Sequence, residues 1–134
     1  MPINNDNLRL SLFAGANYTG RNIVFRNGGV AVKNLGALRF NNLLTSFKVN
    51  NTMVPQNVTL VLFSRNNFKG SYRIYTGRTN VANLSTTNFN NVTSSFLLVG
   101  TRLTESQVLE IQRTGVLPCE VLVITRQQQS TKKC

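Results

Sequence analysis

Leu8, Leu10 and Leu12 alternate with Arg9 and Ser11, and fifty residues later Val58, Leu60 and Leu62 alternate with Thr59 and Val61. Successive side chains of a strand point to opposite faces, so this period of two predicts strands with one face buried. Ile23 to Phe25 and Tyr72 to Tyr75 each follow a glycine turn and read as second strands. Phe47 to Val49 and Phe96 to Val99 read as closing strands. Gly28-Gly29, Gly36, Gly77 and the Asn-rich stretches interrupt the chain too often for long helices.

The two halves are copies of one unit. Residues 8–49 align with residues 58–99 when Phe13 is set on Phe63, Tyr18 on Phe68 and Gly20 on Gly70. The offset of fifty falls to forty-nine where Asn41, Asn42, Thr45 and Ser46 meet Asn90, Asn91, Ser94 and Ser95. Neither unit can bury its alternating face alone, so two four-stranded units facing each other as a sandwich are predicted.

Residues 101–134 lie outside the repeat. Thr104 and Gln107 have the form of a capping box, with Val108, Leu109 and Ile111 at helical spacing and Gly115 as a stop, which predicts one short helix. Glu120 to Thr125 reads as a strand able to join a sheet edge, and the polar run Gln127 to Cys134 is expected to be mobile. The chain is therefore divided into a β domain over residues 1–100 and a C-terminal extension over 101–134.

Charge narrows the chemistry. Fifteen Lys and Arg against four acidic residues give a formal net charge of +11. The acidic residues are Asp6, Glu105, Glu110 and Glu120, so the stretch from Asn7 to Thr104 is basic and without a carboxylate. There is no histidine. General acid and base catalysis relies mostly on His, Asp and Glu, so an enzyme is not expected. Cys119 and Cys134 have no His to activate them and are too few for a zinc site. No apolar run approaches the roughly 20 residues of a membrane-spanning helix. Residues 1–7 show no secretory pattern, so a cytoplasmic location with reduced thiols is expected, with an extracellular one left open.

The pattern of Phe13, Tyr18 and Gly20, repeated by Phe63, Phe68 and Gly70, resembles the aromatic, four residues, aromatic, one residue, glycine signature of βγ-crystallin Greek keys. Asn41-Asn42-Leu43-Leu44-Thr45-Ser46 and Asn90-Asn91-Val92-Thr93-Ser94-Ser95 resemble the N/D-N/D-X-X-S/T-S calcium motif of the same family. Both motifs occur twice and in the right order. The resemblance covers residues 8–99 and implies an all-β, βγ-crystallin-like Greek-key sandwich of two four-stranded sheets, with each signature a folded hairpin.

Microbial members of the family share each calcium site between the two motifs. By position, the resemblance implies one site from the Ala16 carbonyl, Asn90 or Asn91, the Val92 carbonyl and the Ser94 hydroxyl. It implies a second from the Asn66 carbonyl, Asn41 or Asn42, the Leu43 carbonyl and the Thr45 hydroxyl. Calcium takes six to eight oxygens, and every candidate here is neutral where the family often has Asp, so any binding is expected to be weak, about 10⁻⁴ to 10⁻³ M. A second reading needs no ion: Asn, Ser and Thr side chains also pin loops by bonding neighbouring backbone.

The implied function is a non-enzymatic, weakly calcium-binding protein with a structural, stress or dormancy role. A different class is also open, since some family members resemble toxins or lectins. A cationic module recognising anionic polymers or envelopes, with vestigial calcium sites, would use the basic surface. Arg9, Arg21, Arg26, Lys33, Arg39, Lys48, Arg65, Lys69, Arg73 and Arg78 are spread along the domain without a nucleic-acid motif.

Overall fold

The computed structural model describes residues 8–26, 29–40, 43–87, 89, 92–117, 121–125 and 128–132. The strands of the first repeat are β1 (Leu8–Gly15), β2 (Thr19–Arg26), β3 (Gly29–Val32) and β4 (Ser46–Asn51). Those of the second are β5 (Thr59–Arg65), β6 (Lys69–Thr76), β7 (Thr79–Val81) and β8 (Ser95–Val99). Helix α1 (Glu105–Thr114) and strands β9 (Val121–Thr125) and β10 (Gln128–Lys132) follow.

The sheets are not the repeats themselves. One has the order β2-β1-β4-β7 and the other β10-β9-β3-β8-β5-β6, so each repeat sends its third strand into the sheet of its partner. β3 pairs antiparallel with β8, and β7 with β4. This exchange ties the halves together through backbone hydrogen bonds as well as through the core.

Between the sheets lie the alternating residues that predicted the strands. Leu8, Leu10, Leu12, Phe47 and Val49 of the first sheet meet Leu60, Leu62, Phe96 and Leu98 of the second in one buried cluster. Each such side chain contributes roughly 1.5–3 kcal/mol relative to an exposed position. Edge-to-face contacts of Phe25 with Phe96 and of Phe47 with Tyr75 join the layers at 5.4 and 4.8 Å between centroids.

The outer faces differ. On β1 the outward residues Arg9 and Ser11 are polar, and this side of the first sheet is open to solvent. On β5 and β8 the outward Val61, Phe63, Leu97 and Val99 are fully buried. They form a second apolar cluster with Ala31, Phe68 and the Val108, Ile111 and Leu117 side chains of the extension. Helix α1 thus caps the second sheet.

The helix begins and ends as its sequence requires. The Thr104 hydroxyl accepts from the Gln107 backbone N–H at 3.2 Å, and the Gln107 side chain accepts from the Thr104 N–H at 2.8 Å. Gly115, at φ 74°, closes it with its N–H donating to the Ile111 carbonyl. The Lys69 ammonium donates to the Gln112 carbonyl, and the Gln112 amide donates to the Gly70 carbonyl at 3.1 Å, so the helix end grips the second hairpin.

The extension adds two strands where the sequence predicted one, making the second sheet six-stranded rather than four-stranded. β9 joins it by parallel pairing with β3. The polar segment expected to be mobile instead supplies β10, which pairs antiparallel with β9 from Gln128↔Thr125 to Lys132↔Val121. Backbone groups make this ladder, so a Gln, Ser and Thr segment serves at an edge where no apolar face has to be buried. Cys119 and Cys134 lie outside the described residues. No described helix is long and apolar enough to cross a membrane.

One polar contact at the helix start is titratable. The Tyr72 hydroxyl donates to a Glu105 carboxylate oxygen at 2.6 Å. That hydrogen bond, helped by desolvation and by repulsion between phenolate and carboxylate, raises the Tyr72 phenol above its usual value. The phenol donates only while protonated, so its stabilisation is complete below the ordinary tyrosine range and is lost as pH climbs through the raised folded-state midpoint. Ultraviolet titration of the phenolates is expected to show one late-ionising tyrosine that moves to lower pH in Glu105→Ala; an unchanged profile would remove this contact from the account.

Candidate functional site

The two hairpins are built alike. In the first, Phe13 and Tyr18 pack edge-to-face at 5.7 Å; in the second, Phe63 and Phe68 do so at 5.5 Å. Asn17, Tyr18 and Gly20 have φ of 57°, 60° and 79°, and Asn67, Phe68 and Gly70 have 59°, 63° and 82°. An aromatic residue in the left-handed region costs roughly 1–2 kcal/mol, so something must hold it there. At Gly70 a Cβ would meet the Ser64 hydroxyl at 2.3 Å and the Arg65 side chain at 2.9 Å, which together with its positive φ explains the glycine.

The restraint comes from the last serine of each polar motif. The Ser46 hydroxyl accepts from the Tyr18 N–H at 3.0 Å and donates to the Gly15 carbonyl at 2.6 Å. Ser95 repeats this with Phe68 and Arg65 at 3.0 and 2.6 Å. Both serines are fully buried. Their structural role was not assigned from sequence, although the serine recurs at the same place in both motifs.

Backbone hydrogen bonds then weave the two polar loops between the hairpins. Asn17 N–H donates to the Ala82 carbonyl and Asn67 N–H to the Lys33 carbonyl, both at 2.8 Å, so each tip touches the end of the other repeat's third strand. Thr45 N–H donates to Phe13, and Ser94 N–H to Phe63, both at 2.9 Å. The carbonyl of Thr45 accepts from Leu84 and that of Ser94 from Leu35. Each loop therefore starts at the other motif's hairpin and ends at its own.

Among the ligands that the resemblance implied, Leu43 and Thr45 come together: the Thr45 hydroxyl donates to the Leu43 carbonyl at 3.2 Å. Two oxygens bound to one calcium at 2.3–2.6 Å lie about 3 Å apart, so this pair has the spacing of adjacent ligands. Thr45 and Ser94 are both buried, each 8% exposed. Ala16 accepts from the Thr19 hydroxyl at 2.6 Å, and its second lone pair remains for another partner. Asn66 opens the 3-10 turn of the second hairpin, and Val92 is half-buried against the main core. Asn41, Asn42, Asn90 and Asn91 lie outside the described residues. No three His, Cys, Asp or Glu side chains cluster among the described residues, so the oxygens on offer there are neutral.

Two exchanged Greek keys with paired aromatic hairpins and serine-pinned polar loops define a βγ-crystallin-like fold. A structure from work on the evolution of the eye-lens βγ-crystallin domain fold superposes with a TM-score of 0.59 at 20% identity, covering 75% of this chain and 91% of that one. A Thr-to-Ser double mutant of the βγ-crystallin domain from Clostridium beijerinckii gives 0.54 at 21% identity, covering 69% and 98%. The N-terminal domain of Protein S gives 0.53 at 23% identity, covering 71% and 99%. No protein-family model and no curated protein matches the sequence.

Proposed function

We propose that the protein is a non-enzymatic βγ-crystallin-like domain that binds calcium weakly at two neutral sites and serves a structural, stress or dormancy role. The observation that carries this reading is the Leu43 carbonyl and Thr45 hydroxyl at ligand spacing, 3.2 Å, within a loop that runs between both hairpins. The likeness to βγ-crystallin domains supports it. The Asn-for-Asp content of the motifs sets the affinity. A dication gains no ion pair there and approaches a chain of net charge +11.

With a dissociation constant near 10⁻³ M, 10 mM calcium stabilises the native state by about 1.4 kcal/mol per site. Thermal unfolding is expected to shift upward accordingly, beyond the shift given by sodium chloride at equal ionic strength. Thr45→Ala combined with Ser94→Ala is expected to remove the calcium response, and also to lower the calcium-free melting temperature, because both side chains are buried and the Thr45 hydroxyl holds the Leu43 carbonyl. Absence of a shift in the parent protein would refute calcium binding; a double variant that responds like the parent would refute these ligands.

A further inference from the structure

We infer that the open face of the first sheet carries a binding site for an acidic polysaccharide, one sugar unit of which sits in a cleft between Arg9, Lys48 and Arg78. These residues are far apart in the chain, and the strand register assembles them. Arg9 faces Arg26 on β2 and Asn50 on β4, and Lys48 faces Ser11 on β1 and Asn80 on β7. Arg78 immediately precedes β7. The inward Leu8, Leu10, Phe47 and Val49 are in the core, so alternation sends Arg9, Ser11, Lys48 and Asn50 to the outside together.

The face is concave as well as basic. Arg9, Ser11, Lys48, Asn50, Arg78 and Asn80 line a depression of about 270 Å³. That is close to the lower end of the roughly 300–1,000 Å³ typical of ligand pockets, a size for one unit of a chain. The ion pair between Arg113 and Glu110 on α1 is the only one among the described residues, so the cations of the cleft have no carboxylate partner there. Lys48 rests 4.5 Å from the centroid of the Tyr18 ring, which orients its ammonium without neutralising it.

Two features choose the ligand chemistry. Three cations around the cleft call for sulfate, phosphate or carboxylate groups. The Ser11 hydroxyl and the Asn50 and Asn80 amides line the same cleft, and such groups exchange hydrogen bonds with the hydroxyls of a sugar ring. An anion bearing hydroxyls on the same unit is an acidic sugar. Single-stranded nucleic acid is disfavoured because no aromatic side chain lines the cleft for a base to stack on. The second sheet offers no equivalent face, since α1 covers it.

The test uses the full chain in calcium-free buffer with chelator, so that its result is independent of the calcium reading. A heparin hexasaccharide is titrated calorimetrically against the parent, Arg9→Ser/Arg78→Ser and a charge-matched control, Arg65→Ser/Arg102→Ser. The cleft pair is expected to weaken binding at least ten-fold and the control pair less than three-fold. Asn50→Ala is expected to weaken heparin binding while leaving inorganic polyphosphate, which has no ring hydroxyls, unaffected. Equal losses in both arginine pairs would reduce the effect to general charge and overturn the site. Tighter binding of single-stranded RNA through the same two arginines, or an Asn50→Ala variant that holds heparin like the parent, would overturn the sugar assignment.

Discussion

Ending the chain after Gly100 is expected to cost about 3–6 kcal/mol of stability and to make the remaining domain self-associate, even though both Greek keys remain complete. Val61, Phe63, Leu97 and Val99 face away from the main core and are fully buried only because the extension lies on them. Removing α1 returns about half of this surface to water, because Phe68, Tyr72 and Ile74 still pack there, and at roughly 1.5–3 kcal/mol per fully exposed side chain half-exposure of the four costs about 3–6 kcal/mol. The extension's own burial of Val108, Ile111 and Leu117 largely offsets the entropy of ordering it, so the exposed sheet dominates the loss. Against a total stability of about 5–15 kcal/mol the change is large, and a contiguous apolar patch favours association. Urea unfolding and size-exclusion chromatography of residues 1–100 measure both effects. Ile111→Ala in the full chain provides a milder version, with an expected loss of about 2–4 kcal/mol. A monomeric 1–100 fragment as stable as the full chain would make the helix a mere appendage.

The same asymmetry shows how far the sequence could be read. The hairpins were legible because their geometry demands particular residues: a ring pair with four residues between its members and a glycine whose positive φ other residues resist. The main strands were legible from alternation. The exchange of β3 and β7 between sheets was not, because Gly29–Val32 and Thr79–Val81 are too short to show which face, or which neighbour, they prefer. Covering of the second sheet did leave a trace, since Val61, Leu97 and Val99 are apolar where the first repeat has Ser11, Lys48 and Asn50, but substitutions of that kind do not name the element that lies above them.

The grouping of basic residues on the first sheet was not legible for a related reason. Positions 9, 48 and 78 look scattered along the chain, yet antiparallel pairing places them around one cleft. Register is a property of the folded sheet and is carried by turns and bulges, which a charge count does not contain. In the candidate calcium loop that the resemblance implied, the Thr45 hydroxyl donates to the Leu43 carbonyl two residues earlier. What composition could not separate was the task of the two adjacent hydroxyls in each motif, both buried, of which the inner one is turned to the hairpin.

That division of labour leads to the second large effect. Ser46→Ala is expected to cost about 2 kcal/mol and Ser95→Ala about 3 kcal/mol. Each substitution leaves a backbone N–H and a carbonyl without their shared partner, and an orphaned buried group costs about 1–3 kcal/mol. The strain of the left-handed aromatic residue then goes unopposed. Ser95 is the costlier because Phe68 is 2% exposed and packed under α1, where water cannot replace the lost hydroxyl, whereas Tyr18 is half-buried and accessible. Denaturant unfolding with and without calcium separates these serines from their neighbours: the losses at Ser46 and Ser95 should be the same in both conditions, while those of Thr45→Ala and Ser94→Ala should be larger when calcium is present. Losses below about 0.5 kcal/mol at both serines would mean that ring packing alone holds the hairpins in their left-handed conformation.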